Sequence, residues 1–456
     1  MLRQQMPIWM ILAGIFLLSL YGYGSSTYES GVTTLENGIP AVFEVRPDSP
    51  LIHLVVALRA GSKYETHSSR GISHLIEHLI LFGGQGPDTA RVTEELQSRG
   101  GHVNGHTDRD LVTLELTLPL EDLEFATRIM GKLVFNRRFF QADLDRERRI
   151  VEKEMGEAVD DPERQGLFIM LKHLFSGHPY ERSAFGDPKS LGSITLEDIQ
   201  AHYQALFVPE RSAVALVGGM NSDKARECLQ SGLGICRKAD VPGQPLSRGK
   251  IVPLRPLVES IEMERTMNVQ RAHIWMGFRA PAYNDDQRVA MRVLCQMLGQ
   301  GGYPLLSTRF SGRFRLVDSI SMSYLPLEDG GCTWVHMVLE RDNIRRALNE
   351  WNRFLKQFRS MNFSRRDFPP SQRRHVYDFM ETAGNQLLLR SEVAGEDGLQ
   401  RALTYARFIL LNKKSRPRGF GDQLSDLSPS RLRRLAVERL LKPPHVVVTV
   451  LPEAAP

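Results

Sequence analysis

Apolar and polar positions recur along this chain in two matching series. His53-Leu-Val-Val-Ala-Leu-Arg59-Ala60-Gly61 and His273-Ile-Trp-Met-Gly-Phe-Arg279-Ala280-Pro281 both read as strands, with His53 falling on His273 and Arg59 on Arg279. Thr195–Phe207, followed by Ser212–Val217, matches Ser428–Leu440, followed by His445–Val450, with Thr195 falling on Ser428. Each of these is an N-cap residue, a helix, a turn and a buried strand. Order and spacing agree across both halves. The pattern predicts an α+β fold of two homologous domains, each a mostly antiparallel sheet packed with helices. Residues 27–240 form the first domain and 256–456 the second, with a linker over 241–255 where Pro242, Gly243, Pro245 and Gly249 cluster. A chain of 456 residues is long enough to need two cores.

Composition changes this picture little. The chain is 42% hydrophobic and 24% charged with a net charge of +5, the profile of an ordinary globular protein. The basic clusters Arg365-Arg366, Arg373-Arg374 and Lys413-Lys414 are short and lack interleaved aromatics, so they read as solvated surface and no nucleic-acid partner is expected. At the N-terminus, Arg3 precedes an uncharged run, Pro7–Leu20, whose length is that of a signal-peptide core rather than a membrane span. Gly22 and Gly24 fit a cleavage site, and extension through Ser26 would make an uncleaved membrane anchor. Residues 1–26 are therefore expected to direct export, to a periplasmic location with or without attachment to the inner membrane. Cys228 and Cys236 are close enough in sequence for a local disulfide, buried free thiols being the alternative, and no C-x-x-C pair suggests a zinc ribbon.

The chemistry concentrates in Gly71–Gly84, which contains His74, Glu77 and His78 as H-x-x-E-H. Residues at i and i+4 share a helix face, so both imidazoles can reach one metal ion. Glu77 then points beside that ion, where a carboxylate can take a proton from an activated water. This order is the inverted form of a zinc peptidase motif. Carried forward by the offset that takes His53 to His273, the two histidines land on Leu294 and Leu298, so the second half keeps a helix and loses the metal-binding side chains. An open catalytic zinc site needs three protein ligands. The stretch Asp143–Glu157 is the best source of the third, because Glu147 and Glu154 lie two turns apart on one helical face. The competing reading is a solvated charged helix.

Together these residues resemble the pitrilysin/insulysin-type metallopeptidases, and in length the two-domain subfamily of mitochondrial processing peptidase and its bacterial relatives. In that family the H-x-x-E-H helix is followed by a distal E-x-x-x-x-x-x-E helix. Here Glu147 and Glu154 stand in that pattern, at the distance beyond His78 that the family shows. Gly100-Gly-His-Val-Asn104-Gly-His-Thr107 resembles the family's G-G-x-x-N-A-x-T segment, and His178-Pro-Tyr180 and Pro209-Glu-Arg211 also fit. The resemblance implies one zinc ion per chain, with His74, His78 and Glu154 as ligands. It makes Glu77 the general base and Glu147 a supporting carboxylate that orients a ligand or water. The implied substrate is an extended peptide or unfolded segment, contacted at Asn104, for which an Asn-Gly turn is the competing reading. His102 and His106 read as loop histidines.

One segment departs from the family. Active members use an arginine and a tyrosine from the second type of domain. The corresponding run, Leu306–Ser321, offers Arg313 or Arg315 as the cation but has Asp318 where the tyrosine is expected. Tyr324 stands too far along the strand. Either a partner subunit supplies these groups or activity is low; the resemblance implies a heterodimer with a metal-free homologous subunit or a homodimer, which would offer the same segment. The alternative function is a non-catalytic or partner-dependent assembly subunit.

Overall fold

Near-continuous runs of buried residues in the central strands build two sheets, each with both faces covered. The computed structural model describes residues 28–83, 87–236, 252–300, 304–361, 379–412, 420–442 and 444–453. The predicted leader, residues 241–251 of the predicted linker and the three basic clusters lie outside these residues. Among the described residues no helix is long and apolar enough to cross a membrane.

The first sheet comprises β1 (Ser30–Thr34), β2 (Pro40–Val45), β3 (Leu51–Leu58), β4 (His102–Thr107), β5 (Val112–Pro119) and β6 (Ser212–Gly218), in the order β1-β2-β6-β3-β5-β4. The second comprises β7 (Ile261–Met267), β8 (Ala272–Ala280), β9 (Ser319–Leu325), β10 (Gly331–Leu339) and β11 (Val446–Pro452), in the order β7-β11-β8-β10-β9. Only β2–β6 and β7–β11 pair in parallel. Removing β1 from the first order leaves the second, strand for strand. The expected pair of homologous, mostly antiparallel domains is therefore present.

The helices used below are α1 (Ile72–Phe82), α2 (Gln141–Asp160), α3 (Pro162–Leu174), α4 (Leu196–Leu206), α5 (Arg288–Gly299), α6 (Phe379–Glu396), α7 (Gly398–Asn412) and α8 (Pro429–Ala436). As the sequence predicts, α4 starts at a Thr195 cap and α8 at a Ser428 cap. One face of each sheet packs on helices of its own half. The other face is covered by a helix from the opposite half. Ala402, Leu403, Ala406 and Ile409 of α7 bury Val55, Ala57, Ala213 and Ala215 of the first sheet. Reciprocally, Leu167, Met170, Leu171 and Leu174 of α3 pack on Trp275, Trp334, Val446 and Val448 of the second. Each buried side chain of this size contributes about 1.5–3 kcal/mol, so the exchange binds the halves into one unit.

Both exchanged helices are capped alike. The Asp161 carboxylate accepts from the Glu163 and Arg164 amides at 2.8 and 3.3 Å. The Asp397 carboxylate accepts from the Leu399 and Gln400 amides at 2.9 and 3.1 Å. Polar contacts close the seam. Asp110 accepts from the Tyr180 hydroxyl at 2.5 Å and from the Glu328 amide at 2.9 Å, and pairs with Lys63 at 3.0 Å. All four cysteines are free. The local bridge between Cys228 and Cys236 does not form: Cys228 is buried in the first core, whereas the Cys236 thiol turns to the Gly232 carbonyl.

Candidate metal centre

Ile72, Leu75, Ile76, Leu79 and Ile80 drive α1 into the first core. Its start depends on Gly71, whose φ of +88° is costly for other residues and whose position leaves no room for a Cβ beside the Phe185 carbonyl. The Glu65 carboxylate accepts from the Gly71 and Ser73 amides at 2.9 and 3.1 Å, satisfying donors that a helix start leaves unpaired. The side of α1 that remains polar carries His74, Glu77 and His78, and α2 packs across α1.

One ligand atom from each of His74, His78 and Glu154 lies within 4.8 Å of the other two. His74 Nε2 is 3.8 Å and His78 Nε2 3.5 Å from Glu154 Oε2. These separations exceed a good hydrogen bond and suit atoms that share one ion. The His74 Nδ1 atom is buried without a hydrogen-bond partner among the described residues. Two imidazoles and a carboxylate form a zinc donor set. The residues present fit the ion that the resemblance implies.

Glu147, fully buried, meets the other side of His78. The His78 Nδ1–H donates to Glu147 Oε2 at 3.3 Å, and Arg146 Nε donates to Glu147 Oε1 at 3.0 Å. A carboxylate on Nδ1 sets the tautomer and leaves Nε2 free for the ion. Glu77 is 6% exposed, and its Oε2 accepts from the Thr107 hydroxyl at 2.5 Å. Burial pushes the Glu77 carboxyl up to about 7, against the opposing pull of His78 and the Thr107 hydrogen bond. Burial disfavours charge on His78, but its bonds to Glu147 and Glu154 and the charge of Glu77 push it up to about 10. Burial, then the charges of His78 and His106, hold His74 well below the usual histidine range. The pocket thus attracts one cation between its carboxylates.

Two contacts here escape sequence reading. Thr107 sits in the glycine-rich segment, yet spacing does not announce that it meets Glu77. A Cβ on Gly105 would fall 2.8 Å from Glu77 Cγ and 2.8 Å from Leu81 Cδ1, so only glycine lets β4 approach α1. A glycine inside a strand is the available signal.

The remaining predicted residues divide. Asn104 is not in a turn: it lies within β4, the edge strand, opposite Glu115, and donates from Nδ2 to Glu115 Oε1 at 2.7 Å. His102 and His106 are likewise strand residues rather than loop residues, because β4 pairs with β5 throughout His102–Thr107. Arg313 and Arg315 are exposed and make no ion pair with the His74–Glu154 group among the described residues. Asp318 accepts from Arg271 at 2.9 Å. Tyr324 is buried and donates to the Pro281 carbonyl at 2.7 Å.

Comparison with known proteins identifies the family and the fold. The family model described as insulinase (peptidase family M16) matches residues 42–187, and that described as peptidase M16 inactive domain matches residues 193–373. A probable mitochondrial-processing peptidase subunit beta of Arabidopsis thaliana is 25% identical over 289 residues, covering 62% of this chain and 53% of that protein. An uncharacterized zinc protease of Mycobacterium tuberculosis is 27% identical over 273 residues, covering 59% of this chain and 61% of that protein. The matches therefore span about half to three-fifths of these relatives' own lengths. Among solved structures, a protease from Helicobacter pylori superposes with a TM-score of 0.79 at 18% identity, covering 93% of this chain and 100% of that one. That likeness establishes the fold. With two models of this family together matching residues 42–187 and 193–373, the chain belongs to the insulinase-like peptidase family M16.

Proposed function

We propose that the chain is a zinc-dependent endopeptidase acting on extended peptides or unfolded segments. The observation that carries this reading is the convergence of His74, His78 and Glu154 within 4.8 Å, with the Glu77 carboxylate held beside them by Thr107. Zinc, when bound, polarises the scissile carbonyl and acidifies water. Glu77 accepts the proton of the attacking water and delivers it to the leaving amine. Thr107 and Gly105 keep Glu77 in place, and Glu147 holds the His78 ring. Among the described residues β4 is paired on one side only, so an extended peptide can add to its other edge, where Asn104 stands.

Arg313, Arg315 and Asp318 support a second feature. Donors for the developing oxyanion are not gathered at Glu77 by this chain's described residues, which favours completion of the site by a partner. The Arabidopsis relative is itself named as a subunit. A heterodimer with a metal-free homologue is the proposed assembly, since a homodimer repeats the same segment, and export through residues 1–26 is the proposed route.

Glu77→Gln tests the reading. The variant should retain its zinc while peptide cleavage, assayed alone and with a metal-free homologue, falls about 10²–10⁴-fold. Equal cleavage by the variant and the parent would refute the assignment. Zinc binding without cleavage in either assay would favour the assembly-subunit alternative.

A further inference from the structure

A second group of donors converges at the seam between the halves. His273 on β8 and His336 on β10 lie diagonally on the face that α3 covers, His273 opposite Val338 and His336 opposite Trp275. Glu163 is the second residue of α3. One ligand atom from each of the three lies within 4.8 Å of the others.

The details suit an ion. His273 Nδ1 and His336 Nε2 are 3.1 Å apart, a separation that serves a hydrogen bond between the rings and, once an ion displaces the shared proton, is close to the about 3.3 Å between two nitrogens on one tetrahedral zinc. The two rings are 8% and 9% exposed, whereas Glu163 faces solvent. His336 stacks on Trp275 at 4.0 Å with an interplanar angle of 13°, so its direction is fixed. Among the described residues, the Glu163 carboxylate has no hydrogen-bond or ion-pair partner, and Asp161 beside it adds like charge. Arg164, the nearby cation, is engaged with Asp161 at 3.2 Å.

Duplication alone does not account for this set. In the first half, His53 occupies the place of His273, but its Nδ1 meets the Thr117 hydroxyl at 2.9 Å. Glu115, at the place of His336, is bonded to Asn104, and Leu399 replaces Glu163 on the matching helix.

We propose that Glu163, His273 and His336 bind a second divalent ion of the zinc class, which ties α3 of the first half to the sheet of the second. Two imidazoles with one carboxylate suit such an ion, and water can complete its coordination from the open side. The site is independent of the peptidase reading.

Zinc alone is the probe, on the full chain. Elemental analysis after dialysis should give about two equivalents, falling to about one in Glu163→Gln, whose exposed position spares the core, and in His336→Gln. A chain carrying His74→Ala and His78→Ala should keep about one equivalent and a zinc-dependent rise in Tm, both lost on adding Glu163→Gln. A single equivalent in the parent that Glu163→Gln leaves in place overturns the proposal, as does none in the His74→Ala/His78→Ala chain. Absence of cleavage by the parent chain with two ions bound, alone and with a metal-free homologue, would count against the peptidase reading alone.

Discussion

The two halves place the same helix pair against the same sheet and fill the space between them oppositely. In the first, α1 presents His74, Glu77 and His78 to Glu147 and Glu154 of α2. In the second, α5 presents Leu294 and Leu298, both fully buried. The offset that carries cap Asp161 to cap Asp397 carries Glu154 to Arg390. A guanidinium thus stands where the proposed ligand carboxylate stands. Arg390 Nη1 donates to Gln296 Oε1 at 3.1 Å, and Gln296 Nε2 donates to Gln386 at 2.8 Å. The second half has its cation built in, and its histidine seats have become core. Shared architecture therefore says where a site can be, and side-chain chemistry alone says whether it is there.

The comparison breaks most visibly at Leu298. Leu298→Ala opens a cavity in the second core and should cost about 2–5 kcal/mol in denaturant unfolding, with zinc content at His74–Glu154 unchanged in the folded protein. His78→Ala, its counterpart, should instead remove that zinc. Loss of first-site zinc from Leu298→Ala would show that the helix pairs are energetically coupled through the seam.

A smaller difference lies one layer out. His202 on α4 meets the Ser73 hydroxyl at 3.2 Å, while α8 carries buried Leu435 at the matching place. Burial, then the charge of Arg211, lowers His202 to about 4. An unfolded chain takes up this proton near pH 6.5, so the contribution is present above that pH and is lost as pH falls through about 4. On a scale of 1.36 kcal/mol per pH unit, roughly 3 kcal/mol is at stake. His202→Leu should flatten the acid limb of stability against pH. Glu65, which faces the same Ser73, is pushed up to about 7 by burial, and its contribution is lost as pH rises, so the two effects separate by direction. An unchanged acid limb would place the sensitivity elsewhere.

What can be read in the sequence follows from the range of each interaction. His74 and His78 declare themselves because helix periodicity sets their relation within a single turn. Strands His53–Gly61 and His273–Pro281, and caps Thr195 and Ser428, are legible for the same local reason. Glu154 needs the family's spacing, since nothing in residues 141–160 states that this helix crosses α1. Thr107 and Gly105 act across elements and stay hidden. The exchange of α3 and α7 is also hidden, because amphipathic periodicity shows that a helix buries one face but not whose sheet receives it. His102 and His106 read wrongly as loop residues because Gly105 interrupts the alternation that marks a strand.

Glu147 gives the finest test of how the halves differ. It is fully buried, touches no proposed substrate position, and differs from Glu154 in meeting Nδ1 rather than Nε2 of His78. Its role is therefore to position the ring. At the Glu147 place the second half has Ala383, where no histidine needs holding. Glu147→Gln keeps shape and removes charge, and should weaken zinc affinity about 10–100-fold. Glu147→Asp, which keeps the charge, should recover part of that loss, and kcat at saturating zinc should change less than the affinity does. If Gln and Asp behave alike, the carboxylate is only filling space, and the two halves differ by fewer residues than their geometry indicates.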